Sequence, residues 1–401
     1  MTAAKIASAP DAVGWPEAWG RFLAERRSAR EQANQQRRRR VVTPTSAVAL
    51  EVGDRPAIGF CNNDYLGLAH DPRVIAAASA AVERYGAGSG AASLVSGYGR
   101  EHQRLESALA EFLGREAVLL CSSGYLANLA VAGALADRDS VIVQDRLAHA
   151  SLIDAAQLSG ARLLRYPHVD VAAAARQLDR AKDHRALLVT DGIFSMDGDA
   201  APVTELAGLA LEHGALLVVD DAHGIGVTGA GGRGVTAGLG SPQVPILVGT
   251  LGKAFGAAGA FIAGPVELIE QIENEGRAYL FDTAMPPAVA AAARAALGII
   301  REEPQRRARL SARIEQFRAG AAETGIDLLP SDSPIQPVVA GDAPTALTWS
   351  GRLWEAGFLV PAIRPPTVPV GQSRLRVTLS SEHEATHVDQ LLEALNACRP
   401  R

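Results

Sequence analysis

The stretch Val218-Val219-Asp220-Asp221-Ala222-His223-Gly224 decides the reading of this chain, together with Gly249-Thr250-Leu251-Gly252-Lys253. The first closes an apolar run, Ala215 to Val219, with two carboxylates and a histidine. The second closes another run, Ile246 to Val248, with glycine, threonine and a lone lysine. Short apolar runs that end in polar and glycine residues are the signature of strands buried on both faces, as in a parallel sheet. Taken singly, Asp220 reads as a helix cap and Lys253 as a surface lysine. The other strand ends change that balance.

Working outward, strand-length apolar runs recur at 117–121, 140–144, 162–166, 186–190, 215–220, 246–249 and 260–263. Helical segments separate most of them. In Glu101 to Leu113, Leu105, Ala108, Leu109 and Phe112 fall at i, i+3, i+4 and i+7, one face of a helix. Alternating strands and helices imply crossover connections and a mostly parallel sheet. The last two runs are joined by a glycine-rich loop too short for a helix, so one strand there is expected to run antiparallel. Upstream, the pattern from Trp15 to about Arg40 is helical and basic, Val41 to Phe60 reads as a small hairpin turning at Gly53-Asp54, and residues 1 to about 15 read as disordered. Pro286-Pro287 opens a long helical region to about Gly325, and 335–379 mixes short strands with proline-rich turns. An amphipathic helix carrying Val388, Leu391, Leu392 and Leu395 closes the chain. The expected fold class is α/β: a mostly parallel seven-stranded sheet flanked by helices, plus a smaller α+β C-terminal domain. The expected segments are 1–60 (helix and hairpin), 61–290 (large domain) and 291–401.

In such a sheet, ligands sit beyond the carboxyl ends of the strands. Ser122, Ser123, Gly124 and Tyr125 follow the first run; Asp145, Arg146 and His149 follow the second; Asp191, Phe194, Ser195 and Asp197 follow 186–190. With Asp220, His223, Thr250 and Lys253, these collect hydroxyls, two histidines, an acid and a lysine at one edge. That layout suits pyridoxal phosphate: Lys253 forms a Schiff base with its aldehyde, and Asp220 keeps the pyridine nitrogen protonated. Gly124 and Tyr125 at a helix start offer N–H groups to a phosphate, although a plain serine N-cap is the commoner use of such a sequence. Thr250 adds a hydroxyl. His149 has a ring able to stack on the pyridine, and His223 reaches its phenolic oxygen.

Composition narrows the alternatives. The chain has 401 residues, is 48% hydrophobic and 21% charged, and carries a net charge of -5. That balance argues against nucleic-acid binding, which needs clustered cations; the run Arg37 to Arg40 is the exception and reads as a solvated helix end. Cys61, Cys121 and Cys398 have neither metal-ligand spacing nor an even count. No ligand pair such as HxxxH or CxxC occurs among the candidates, so no metal is expected. Ala284 to Ile300 is broken by Pro286, Pro287 and Arg294, so no membrane span is expected, and the start lacks a signal-peptide core; the expected location is cytoplasmic.

The motifs CNNDYLGLAHDP (61–72), GSGAASLVSGYGREHQRLE (88–106), CSSGYLAN (121–128), DRLAHASL (145–152), TDGIFSMDGD (190–199), VVDDAHGIG (218–226), GTLGKAFG (249–256) and IRPPTVPVGQSRLRVTLS (363–380) resemble those of the α-oxoamine synthases. These are pyridoxal-phosphate acyltransferases of the aspartate-aminotransferase fold. The resemblance runs from about Trp19 to the C-terminus and is strongest to the biotin-pathway branch, which condenses L-alanine with a pimeloyl thioester, on coenzyme A or an acyl carrier protein. It implies a homodimer with active sites at the subunit interface. By resemblance, Lys253, Asp220, His149 and His223 are catalytic, and Gly124, Tyr125, Ser195, Thr250 and Thr283 complete the cofactor contacts, Thr283 reaching the neighbouring subunit's cofactor. Asp282 stands beside it where the family often has hydroxylated residues. Asn63 and Arg376 bind the amino-acid carboxylate, and Thr367 and Arg37 meet the acyl substrate. The alternative within the family is glycine or serine condensed with a different acyl-CoA.

Overall fold

The computed structural model describes residues 16–400, so the expectation for residues 1–15 lies outside the described residues. Helix α1 (Glu17–Gln32) buries none of its residues. It stops short of Arg40, correcting the expected helical reach: Asn34 takes a φ of 54°, a left-handed stop that asparagine tolerates. Continuing the helix would also stack Arg37 to Arg40 within about one turn, where like charges repel. The run therefore follows the helix as irregular chain and is not its solvated end.

Strands β1 (Val42–Pro44), β2 (Ala49–Val52) and β3 (Arg55–Gly59) form the hairpin region, with Gly53-Asp54 as the β2–β3 turn. α2 (Pro72–Tyr85) and α3 (Arg100–Leu113) lead into β4 (Ala117–Cys121), α4 (Gly124–Leu135), β5 (Ser140–Asp145), α5 (Ala150–Ser159), β6 (Arg162–Tyr166) and α6 (Val171–Asp179). Then come β7 (Arg185–Asp191), α7 (Val203–Glu212), β8 (Leu216–Asp220), β9 (Ile246–Thr250) and β10 (Ala260–Gly264). These seven strands, β4 to β10, form one sheet in the order β4-β10-β9-β8-β7-β5-β6. All its pairings are parallel except those of β10, which runs antiparallel to both β4 and β9. The glycine-rich loop after β9 thus reverses the chain, as the missing helix there implied.

Both faces of this sheet are covered. Leu217, Val219, Val143 and Leu188 pack into one buried cluster, and Val218, Ile142, Val189 and Val248 into the other. Because side chains alternate across a strand, Asp220, Asp191 and Thr250 share the phase of Val218, Val189 and Val248. They project on the side covered by α4 and α5. Asp145 has the opposite phase.

α8 (Val266–Glu275), the short α9 (Arg277–Leu280), α10 (Pro287–Glu302) and α11 (Pro304–Glu323) follow. The long helical region expected after Pro286 is two helices, because Pro304 disfavours helical backbone at Glu303 (φ -117°, ψ 67°). The remainder holds β11 (Ile335–Gly341), α12 (Ala343–Glu355), β12 (Phe358–Leu359), β13 (Ala362–Ile363), β14 (Ser373–Thr378) and α13 (Ala385–Ala397). β11, β14 and β13 make a three-stranded antiparallel sheet. β12 crosses over to pair in parallel with β3, so the N-terminal hairpin and the C-terminal segment share a sheet. Trp349 Nε1 donates to Leu395 O at 3.1 Å, locking α12 to α13.

Candidate active site

The carboxyl ends of β4, β5, β7, β8 and β9 converge on one edge, and the β14 face closes against it. Asp220 ends β8 and is buried. Its Oδ2 accepts from Asn128 Nδ2 at 2.6 Å and its Oδ1 from Ala222 N at 3.1 Å, which fixes the carboxylate plane. Asn128 also donates to Ser151 Oγ at 2.9 Å, while its own Oδ1 has no partner among the described residues. Lys253 lies just past β9 in the reversing loop. Burial pushes its amine down to about 8, against the opposing pull of the Asp220 carboxylate. No ion pair joins the two groups among the described residues, although the carboxylate's charge still reaches the amine.

The neighbouring acids differ. Asp191 lies opposite Asp220 in the β7–β8 register. Burial first, and then the Asp220 charge, holds its carboxyl well above the usual range, and its Oδ2 accepts from His149 N at 2.8 Å. Asp221 is sealed under glycines: a Cβ at Gly192 would stand 2.5 Å from its Oδ1, and Gly224 and Gly234 press on it as closely. Its Oδ2 accepts from Val235 N at 2.8 Å, and burial pushes its carboxyl up to about 8.

His149 caps α5, its Nδ1 engaging Ser151 Oγ at 2.7 Å. His223 is fully enclosed, with Nδ1 2.7 Å from Tyr65 OH. Burial lowers both imidazoles, and Lys253 adds to the effect, so both are neutral at pH 7. Tyr65 OH in turn meets Asn63 Oδ1 at 3.2 Å, and Arg376 Nη1 and Nη2 donate to the same Oδ1 at 3.3 Å. Arg376 Nε donates to Ser195 O at 2.6 Å, and Arg374 Nη1 donates to Asp197 Oδ1 at 2.7 Å. Asn63, Ser195, His223 and Arg376 are thereby joined in one hydrogen-bonded chain.

Ser123 caps α4, accepting from Leu126 N at 3.2 Å, so the bland reading of that serine holds. The N–H groups of Gly124 and Tyr125 make no hydrogen bond among the described residues, and open space lies over Gly124. The Tyr125 hydroxyl is bonded to Asp154. Thr250 uses its hydroxyl at home, donating to Gly259 O at 3.0 Å and accepting from Gly252 N at 3.2 Å. Thr283 is exposed, beside Asp282, which accepts from Ser122 Oγ. Arg37, the first arginine of its run, donates to Thr367 Oγ1 at 3.1 Å. Thr367 lines a cavity of about 530 Å³ together with His149, Ser195, Arg146 and Arg374.

The donor set fits pyridoxal phosphate: a buried amine and carboxylate lie within electrostatic reach of each other and of two neutral imidazoles, and an unsatisfied helix N-terminus suits its phosphate. Sequence reasoning missed three groups here. Asn128 stood four residues after Gly124 on an otherwise apolar helix face, a legible signal. Arg374 was legible by alternation with Arg376. Tyr65 had none, since its partner lies 158 positions away.

Comparison with known proteins identifies the family. The family model for aminotransferase class I and II matches residues 55–395. The chain is 50% identical over 383 residues to an 8-amino-7-oxononanoate synthase of Hahella chejuensis, covering 95% of this chain and 96% of that one. It is 49% identical over 375 residues to one from Pseudomonas aeruginosa, at 93% coverage of both. Among solved structures, a serine palmitoyltransferase from Sphingomonas wittichii superposes with a TM-score of 0.89 at 31% identity, covering 95% of this chain and 97% of that one. A serine palmitoyltransferase solved with PLP gives 0.88 at 29% identity, over 95% and 97% of the two chains.

Proposed function

The chain belongs to the class I and II aminotransferase family, on its 8-amino-7-oxononanoate synthase branch, and we propose that it condenses L-alanine with a pimeloyl thioester to give 8-amino-7-oxononanoate, free thiol and carbon dioxide, the biotin-pathway reaction. The observation that supports this reading is Arg376 donating to Asn63 Oδ1 near the Lys253 amine, a pair we assign to the amino-acid carboxylate.

Bound pyridoxal phosphate supplies the sink for the electron pair left when alanine loses its Cα proton. Lys253 holds the cofactor at rest and, once freed, takes that proton; an amine pushed down to about 8 is neutral often enough near pH 7 to serve as base. Asp220, clamped by Asn128 and Ala222 N–H, would be the charge partner of the cofactor's ring nitrogen. His149 would cover the ring, with His223 and Ser195 on its oxygen side. Gly124, Tyr125 and Thr250 would hold the phosphate end, and the exposed Thr283 would reach the neighbouring copy's site. Arg376 and Asn63 orient the alanine carboxylate, which departs as carbon dioxide after the new C–C bond forms and the thiol leaves. Arg37 and Thr367, at the cavity rim, meet the acyl donor.

A homodimer is part of the proposal. It is supported by Trp19, Phe22 and Leu23, large apolar residues left exposed on a helix that buries nothing within the chain. The acyl donor is proposed to be pimeloyl-coenzyme A or a pimeloyl carrier protein, with the arginines near the rim supplying charge for either. We assign the chain three segments, 1–60, 61–290 and 291–401. Among the described residues no helix is long and apolar enough to cross a membrane.

The test crosses alanine, glycine and serine with pimeloyl, acetyl, succinyl and long-chain thioesters, scored by thiol release and product mass. The proposal expects alanine with pimeloyl thioester to dominate; preference for glycine or serine with another acyl chain overturns it.

A further inference from the structure

Asp145 ends β5 on the sheet face opposite to Asp220, away from the reacting groups. Its Oδ1 accepts from Leu147 N at 2.7 Å, organising the turn that leads to His149. Its Oδ2 accepts from Val169 N at 2.8 Å. His168 bridges onward: Nδ1 lies 3.1 Å and 3.3 Å from the two Asp145 oxygens, and Nε2 lies 2.8 Å from Asp199 Oδ2. Asp199 closes the turn that carries Ser195, its O accepting from Phe194 N at 2.9 Å while Phe194 O accepts from Gly198 N at 2.8 Å. The imidazole also stands edge-on to Phe194, 4.3 Å between centroids. Val169, next in sequence, has a φ of 50°, a conformation that strains a β-branched residue.

We propose that His168 is a positioning residue: by bridging Asp145 and Asp199 it sets the spacing between the loop that presents His149 and the loop that presents Ser195. Burial alone would lower this imidazole, but the two carboxylates push it up to about 10, so both ring nitrogens donate at pH 7. A neutral ring donates from one nitrogen only and would release one loop. Asp199 is half-buried and its shielded Oδ1 has no partner among the described residues, so loss of His168 strips this carboxylate of its one side-chain bond. His149 and Ser195 line the same cavity from opposite loops, and a displacement of about 1 Å between such groups costs about 10²-fold in rate.

The test is amide hydrogen exchange on the full chain, with and without added pyridoxal phosphate, for wild type, His168→Gln and Asp199→Asn. His168→Gln is expected to speed exchange about tenfold in both 146–149 and 194–199, with β8 and β9 unchanged, and to lower kcat about 10²-fold while the alanine KM shifts less. Asp199→Asn is expected to loosen 194–199 only, and it decides the matter if His168→Gln does not fold. Wild-type exchange in 194–199 in either folded variant overturns the proposal, as does an equal loss of protection throughout the sheet. Only the kinetic arm rests on the function proposed above; a wrong substrate silences wild type as well, whereas the exchange arm still responds.

Discussion

The two sheets that meet at the site deliver their polar groups in different ways. The seven-stranded sheet offers Asp220, His223, Thr250 and Lys253 at or past the ends of strands. The three-stranded sheet offers Arg374 and Arg376 from the middle of β14, alternating with Leu375 and Val377, which are wholly buried. A group past a strand end sits in a loop whose direction is free, and the apolar strand behind it supplies burial that shifts its proton affinity. A group on a sheet face is fixed by the pleat and must find acceptors opposite, here Asp197, Ser195 O and Asn63. The edge is thus suited to chemistry and the face to gripping.

The severest way to break this contrast is at the edge. Lys253→Ala is expected to abolish thiol release, and Asp220→Asn to lower kcat by about 10³-fold with little change in the alanine KM. Near wild-type kcat in Asp220→Asn would sink the electron-sink role. On the face, Arg376→Ala removes charged hydrogen bonds of about 2–3 kcal/mol, so the alanine KM should rise about 10²-fold. If kcat fell and KM held, the face would be catalytic and the contrast void.

A subtler test lies inside the edge, between Asp220 and the sealed Asp221. The Asp221 carboxyl is raised from 3.8 to about 8, so between those values the folded chain holds a proton that the unfolded chain has lost. Its contribution to stability is therefore greatest near pH 4 and falls as pH rises toward 8. Asp221→Asn removes that titration, and its melting temperature relative to wild type should climb from pH 5 to pH 8. Parallel curves would show that the carboxyl ionises freely. The smallest effect belongs to the rim: Thr367→Val loses an exposed hydrogen bond to Arg37 worth about 1 kcal/mol or less, a few-fold in thioester KM with alanine KM unchanged.

Much of the fold was legible because it is written in short-range order. The seven apolar runs, the reversal after β9 and the amphipathic α13 come from periodicity and from the space left for a helix. The helical reach to Arg40 failed because the basic pattern does not reveal where Asn34 turns left-handed. At the site, Gly124, Tyr125, His149, Ser195, Asp220, His223, Thr250 and Lys253 were legible as residues just past the carboxyl ends of apolar runs, whereas Arg37, Asn63, Thr283, Thr367 and Arg376 came only from the family resemblance. How each side chain is spent was only partly visible: the serine cap at Ser123 was open to reading, but the local bonds of Thr250 and the grip of Asn128 on the acid were not.

The amino-acid sequence alone determined which side chains stand beyond which strands and on which face, since a period of two fixes phase along a strand regardless of what packs against it. Only the tertiary structure decided that Arg37 meets Thr367 across 330 positions, Arg376 meets Asn63 across 313, and His168 links two loops. Those pairings depend on how sheets and loops dock, and a hydrogen bond forms or fails over a few tenths of an ångström that no local pattern encodes.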